Sequence, residues 1–386
     1  MPKLTLYHLH PNSGFHFGQR GVELEKTGSH LPSDSLFSAL VATAIQAGYD
    51  PDALASLFPQ AEAQPDIEPP FLLTSLFPRA GKVRFYPALP LGLMLSAEAL
   101  QRLQQAQRMK EIKKIAYISE SLFETLCSGT KLDEWLPGQP SRPNDQGAYL
   151  QGGNLWLTQA EVEKLPEAFW KVKQGGEVTK ALRAATVWQV DILPRVTIDR
   201  LRDASNIFHA GRLNFSPECG FWFGVEWRRL EAQLQDKSLP QVFETALHLL
   251  SDSGLGAERN TGYGHFCWEK QEDVKILPAP QPGGLFVTLS RYHPRPDDLK
   301  TILNDERIAY NLDSVAGWLQ TPSLTEAAQR RRRLWLFAEG SVLKMPATGP
   351  VLGDLVDVRP QYKEKTFSHP VWRYGLALPI GLGGTK

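Results

Sequence analysis

The chain holds 386 residues, with 42 Lys and Arg against 42 Asp and Glu, so its formal charge is zero. It is long enough for two cores at roughly 100–200 residues each, and 42% hydrophobic with 22% charged residues excludes a predominantly disordered chain. The neutral balance argues against a protein that coats nucleic acid without specificity; it permits a local basic groove, since charge acts over about 8–10 Å at physiological salt.

The opening Met1–His8 lacks the basic, apolar and small-residue blocks of a signal peptide, so none is expected. No apolar run approaches the roughly 20 residues of a membrane helix. Cys127, Cys219 and Cys267 form no C-x-x-C pair, and their odd number argues against a disulfide framework or a zinc site. A reducing cytoplasm is the expected compartment.

Lys3–His10 alternates as a strand, with Leu4, Leu6, His8 and His10 on one face. A glycine-bearing segment, Asn12–Gly18, follows. Pro32-Ser33-Asp34-Ser35 predicts a helix start with Ser33 or Asp34 as N-cap. Leu36, Phe37, Leu40, Val41, Ala44 and Ile45 then form one apolar stripe. Pro69–Phe77 and Lys82–Pro87 read as strands around a turn at Arg79-Ala80-Gly81. Ala97–Tyr117 reads as a polar helix, Gly138–Gly153 as a loop and Leu157–Lys173 as partly helical. Thr186–Ile198 is β-rich, and Phe221–Trp227 is an aromatic strand whose Trp222 and Trp227 point to opposite faces. Gln241–Leu250 is a second amphipathic helix, Ser253–Gly264 a glycine-rich loop and His265–Glu269 a strand. The order β-α-β-β-α-β, with a long insertion, predicts a ferredoxin-like unit. Pro278–Gly284 is the clearest linker. Strands at Leu285–Leu289, Arg333–Phe337 and Val371–Leu378, with another candidate at Arg307–Leu319, suggest a second αβ domain.

The glycine-rich loop lacks the third glycine of a dinucleotide fingerprint, having Arg259 there, and it follows a helix rather than a strand. Exposed amides and one cation suit a polyanion backbone; a turn with glycines at positive φ is the alternative. Arg330–Arg333 reads first as a solvated strand entrance, because no aromatics interleave; a phosphate patch is the other reading. Charges around Asp199 (Arg195, Arg200, Arg202, Asp203) either keep a tip soluble or grip phosphates. His8 and His10 share a strand face without a third ligand nearby. His30 and His265 are candidate general bases for RNA cleavage.

Four stretches carry a family resemblance: His30–Leu40, Pro194–Arg200, Gly254–Gly264 with His265 and Phe266, and His369–Gly375. They resemble, in order, the first helix, an insert segment, the G-rich loop and the C-terminal strand of RAMP superfamily proteins. The likeness is most specific to the fourth Csm subunit of type III-A CRISPR effector complexes. It implies an α+β protein of two ferredoxin-like (RRM-like) domains. The first, residues 1–275, would carry an insertion at about 90–215, a β-hairpin thumb and the G-rich loop 253–264; the second would span 284–386.

The resemblance implies a non-catalytic subunit, without cofactor or metal, that holds the 5′ repeat handle of crRNA. Its partners would be the large polymerase/cyclase-like subunit and the repeating backbone RAMP subunit. The candidate RNA-binding residues are His16 and Phe17; Ser33, Asp34 and Ser38; Arg195, Thr197, Arg200 and Arg202; and Gly256, Arg259, Asn260, Thr261, Gly262 and Tyr263. Gly14, Gly18, Gly254 and Gly264 join them as points of backbone approach. A metal-independent crRNA-processing endoribonuclease, or the equivalent subunit of a type III-B or III-D complex, are the alternatives.

Overall fold

The computed structural model describes residues 1–18, 27–137, 147–171, 177–199, 204–319, 329–347, 351–362, 365–366 and 369–383. In chain order, β1 spans Lys3–Pro11, α1 Ser33–Gln46, β2 Phe71–Leu73, β3 Phe77–Ala80 and β4 Val83–Pro87. The insertion contributes α2 (Ala97–Gln105), β5 (Tyr117–Ser119), α3 (Glu120–Cys127), β6 (Gly147–Leu150) and β7 (Leu155–Thr158). A hairpin follows, β8 (Trp188–Asp199) with β9 (Ala204–Phe215). Then come β10 (Cys219–Trp227), α4 (Leu239–Ser253) and β11 (Phe266–Ile276).

These strands build one nine-stranded sheet in the order β11-β1-β10-β3-β4-β5-β7-β6, with β2 also paired to β10. β1 is antiparallel to both β10 and β11, and β10 to both β2 and β3. α1 connects β1 to β2, and α4 connects β10 to β11. α1 and α4 pack side by side over one face. There Tyr7 stacks on Phe223, its direct partner across the β1–β10 ladder, at 5.1 Å, and Phe243 of α4 closes on the pair. Trp227 meets Phe71 and Phe243 on this face, whereas Trp222 packs on Tyr86 and Phe77 on the other. Both indoles serve packing, as their alternation in β10 predicts.

The opposite face of β1 is also covered, which explains why both sets of its alternating residues are buried. His8 faces Arg79, Arg84 and Glu120 there. Burial, reinforced by the two guanidiniums, pushes the His8 imidazole down to about 3. Glu120, at the start of α3, receives Arg84 at 2.7 Å and Lys275 at 2.8 Å, and these cations outweigh its burial and hold its pKa low.

Several elements differ from the sequence reading. Ala97–Tyr117 is not one helix: α2 stops at Gln105, Gln107 takes φ +56°, and a one-turn helix, Met109–Ile112, precedes β5. Pro69–Phe77 splits into β2 and the start of β3, and the turn falls after Ala80. The expected loop at 138–153 lies outside the described residues up to 146; from Gly147 it is strand β6. Leu157–Lys173 is helical in part, as expected: after β7 come a 3₁₀ helix, Gln159–Lys164, capped by Thr158 and Glu161, and a one-turn helix, Glu167–Trp170.

The C-terminal part contains β12 (Leu285–Thr288), β13 (Leu312–Val315), β14 (Leu334–Phe337), β15 (Val342–Lys344), β16 (Leu355–Asp357), β17 (Trp372–Tyr374) and β18 (Pro379–Gly381). β15-β12-β18 form a three-stranded antiparallel sheet, while β13–β14 and β16–β17 pair separately. A one-turn helix, Leu299–Ile302, packs on β15. Tyr374 of β17 reaches into the N-terminal core, where its ring lies 4.9 Å from Phe37 and its hydroxyl accepts the Leu73 N–H. No helix among the described residues is long and apolar enough to cross a membrane.

Candidate functional site

Three sequence-distant segments meet at one end of the sheet: Asn12–Phe17 after β1, the glycine-rich loop after α4, and the base of the β8–β9 hairpin. Backbone hydrogen bonds tie the first two. Ala257 N–H donates to the His16 carbonyl at 2.9 Å, Gly264 N–H to Gly14 at 2.8 Å, and Asn12 N–H to His265 at 2.9 Å. Phe15 and Leu213 exchange N–H···O bonds of 2.9 and 2.8 Å, which adds β9 to the assembly. This close approach needs glycine. At Gly256, with φ +99°, a Cβ would stand 2.6 Å from the His16 carbonyl.

The loop has a buried half and an exposed half. Tyr263 is buried, its ring flanked by the Arg195 guanidinium of β8 at 5.1 Å and the Arg212 guanidinium of β9 at 5.3 Å. Such contacts hold a cation against a ring's negative face. The Tyr263 hydroxyl and the Arg212 Nε are buried without hydrogen-bond partners. Arg259–Thr261 forms a 3₁₀ turn between two left-handed residues, Glu258 and Gly262. Arg259, Asn260, Thr261 and Gly262 are exposed. The Thr261 hydroxyl is committed to the Glu258 carbonyl at 2.8 Å, so it shapes the turn.

His16 and Phe17 lie at this junction but point inward. His16 Nδ1 donates to the Gly211 carbonyl at 2.8 Å, and Phe17 packs on Phe15 and Phe221. They brace the hairpin, and a ligand meeting this segment would meet its main chain. Thr197 lies on β8 opposite Asn206 in the ladder. Arg200 and Arg202 fall outside the described residues.

Ser33, Asp34 and Ser38 are elsewhere. The expected side-chain cap is absent: Pro32 is the N-cap residue, and Ser33 and Asp34 lie inside the first turn. Both are fully buried. The Ser33 hydroxyl accepts the Arg291 N–H at 3.0 Å, and Asp34 pairs with Arg373 at 2.5 Å and Arg291 at 3.5 Å. Ser38 donates to the Asp34 carbonyl within the helix. The start of α1 is thus occupied by C-terminal arginines rather than open to a phosphate.

Of the candidate bases, His265 fixes the loop through its main chain, its N–H donating to the Ser13 hydroxyl at 2.9 Å. His30 lies 3.9 Å from Glu339 and lines a cavity of about 660 Å³ between the insertion and the C-terminal part. His10 contacts the Arg79 guanidinium at 2.7 Å and Glu269 at 3.6 Å. The sequence reading missed Arg212. The sequence around it gives little signal: Ile207 and Phe208 are adjacent, and Ala210, Leu213 and Phe215 keep no strict alternation with them.

Residues 281–382 match the family model of the CRISPR Csm4 C-terminal domain. The CRISPR system protein Csm4 of Methanocaldococcus jannaschii is 23% identical over 374 residues, covering 91% of this chain and 87% of that protein. The Csm4 protein of Thermococcus onnurineus is 28% identical over 199 residues, 50% of this chain and 54% of its own length. Among solved structures, a chain of a Csm3–Csm4 subcomplex of the type III-A CRISPR-Cas interference complex shares the fold. Its TM-score is 0.59 at 19% identity, over 97% of this chain and 98% of that one. A chain of a Csm1–Csm4 cassette in complex with cA4 gives 0.50 at 18%, over 99% and 98%.

The resemblance seen in the sequence is borne out: residues 281–382 match the Csm4 C-terminal domain, and the chain is similar to a Csm4 protein of a CRISPR system along nearly its whole length. The fold is that of chains in solved Csm3–Csm4 and Csm1–Csm4 assemblies.

Proposed function

We propose that the chain is the non-catalytic subunit that grips the 5′ repeat handle of crRNA and joins the large polymerase/cyclase-like subunit to the backbone RAMP subunit. On this reading the β-α-β-β-α-β set is a ferredoxin-like RAMP domain, the β8–β9 hairpin is its thumb, and the C-terminal part is the second such domain. The observation that carries it is the junction at Tyr263, where two thumb arginines clasp the glycine-rich loop beside its exposed Arg259–Gly262 turn. Cations and main-chain amides gathered at one end suit a single-stranded RNA backbone, with bases splayed aside. The solved Csm3–Csm4 and Csm1–Csm4 assemblies support the two protein partners.

The test is binding of handle RNA across a salt series. Arg259→Ala should weaken binding and lower the logarithmic salt slope by about 0.7, the single-strand value for one phosphate contact. An unchanged affinity and slope would remove Arg259 from the site. Metal-independent cleavage of repeat RNA that is lost in His30→Ala or His265→Ala would replace the non-catalytic reading with the nuclease.

A further inference from the structure

The Arg330–Arg333 run plays no part in the site above, and its surroundings differ from what the sequence suggested. Its main chain is fixed: Arg331 N–H donates to the Gly317 carbonyl and Arg332 N–H to the Val358 carbonyl, each at 2.9 Å. In the β13–β14 ladder that follows, Leu312 stands opposite Phe337 and Ser314 opposite Trp335. Leu334 turns inward against Val356 and Val358, so alternation turns Trp335 outward.

The result is an aromatic surface beside the arginines. Trp335 is 56% exposed, Trp318 53%, Leu312 48% and Tyr310 42%. The Arg330 guanidinium lies 4.5 Å over the Trp318 ring. Arg330, Arg332 and Arg333 are exposed. The carboxylates nearby are engaged elsewhere: Asp313 with Arg291 at 2.6 Å and Asp357 with Arg359 at 2.6 Å. Among the described residues, none forms an ion pair with those three arginines.

We propose that this face binds single-stranded RNA, independently of the glycine-rich loop. Exposed rings together with exposed cations are the composition of a stacking platform: unpaired bases lie on the rings, and arginines neutralise phosphates. A protein partner fits less well. Arg332 already donates to the Asp357 carbonyl at 2.8 Å, but the cores of protein interfaces are depleted of charge, and covering Arg330 and Arg333 without carboxylates would leave two guanidiniums desolvated and without ion pairs. An RNA strand brings a phosphate with every base.

The experiment uses the full chain and a fluorescent uridine homopolymer that lacks any handle sequence. Trp335→Ala and Trp318→Ala should each weaken binding about tenfold, within the range of one stacked base. Trp335→Phe should retain most of the affinity. Arg330→Gln with Arg333→Gln should lower the salt slope by about 1.4, for two single-strand phosphate contacts. An RNA duplex of equal length should compete poorly, since its bases are already stacked. Wild-type affinity in both Trp→Ala variants, or equal competition by duplex, would overturn the proposal. So would Trp variants that bind RNA normally but lose co-purifying proteins. Loss of homopolymer binding in Arg259→Ala alone would assign all RNA to the loop, overturning this surface while sparing the handle reading.

Discussion

The carboxylate of Asp34, in the first turn of α1, meets the Arg373 guanidinium of β17 at 2.5 Å, and Arg291 lies 3.5 Å from its other oxygen. One buried anion thus holds two cations from the C-terminal part against the N-terminal helix. Arg291 also pairs with Asp313 at 2.6 Å, and its backbone N–H is held by Ser33. Removing Asp34 would leave buried positive charge uncompensated. Asp34→Ala should cost about 3–5 kcal/mol in denaturant unfolding. Asp34→Ala combined with Arg373→Met should be less destabilised than the two single losses sum to. Strict additivity would show that the pair is not coupled.

His8 gives a pH signature. Its folded pKa is near 3, against 6.5 for the unfolded side chain. The unfolded state therefore binds more protons between those values, so stability is full above about pH 6.5 and falls as pH drops toward 3. At pH 5 the loss is about 2 kcal/mol relative to neutral pH. His8→Gln should flatten this part of the stability–pH curve. A variant whose curve parallels the wild type would assign the acid sensitivity elsewhere.

Two glycines of one loop should behave differently when given a side chain. At Gly256 a Cβ would collide with the His16 carbonyl at 2.6 Å; at Gly262, also at positive φ, nothing lies within 4 Å. Gly262→Ala should cost about 1 kcal/mol, from backbone strain alone. Gly256→Ala adds a main-chain collision and should cost clearly more, with a correspondingly lower melting temperature. Equal melting temperatures would mean that the contact at His16 yields freely.

Tyr263 separates ring from hydroxyl. The hydroxyl is buried without a partner, so Tyr263→Phe should leave unfolding free energy within about 0.5 kcal/mol of wild type. Tyr263→Leu removes the ring between Arg195 and Arg212 and should cost about 1–2 kcal/mol, with weaker handle binding. If leucine preserves handle affinity, the two arginines do not depend on the ring for their placement.

Periodicity was a good guide where one face of an element is buried. It located β1, α1, α4 and β10, and α4 even shows its capping box at Ser238 and Gln241. It failed where tertiary contacts overrode local pattern. Ser33 and Asp34 look like caps, but their side chains are claimed by arginines far along the chain. β9 was missed because its apolar residues are sparse and Ile207 faces solvent. The glycine-rich loop was legible as a backbone-approach point, whereas the Tyr263 junction was not, because Arg195 and Arg212 reach it only through the hairpin register. The same limit hid the aromatic surroundings of Arg330: Trp318 is brought opposite it by an antiparallel bridge.

The place of β1 in the sheet has a consequence for synthesis. β1 leaves the ribosome long before either of its neighbours, pairing on one side with Cys219–Trp227 and on the other with Phe266–Ile276. At roughly 5–20 residues per second, it waits tens of seconds before its second neighbour exists. Both edges of the strand that carries Leu4, Leu6, Tyr7 and Leu9 stay open until Cys219–Trp227 emerges, and one stays open until Phe266–Ile276 follows, the form most prone to mispairing. Nascent chains that stop short of Phe266 should therefore depend on chaperones, and truncations ending before it should aggregate.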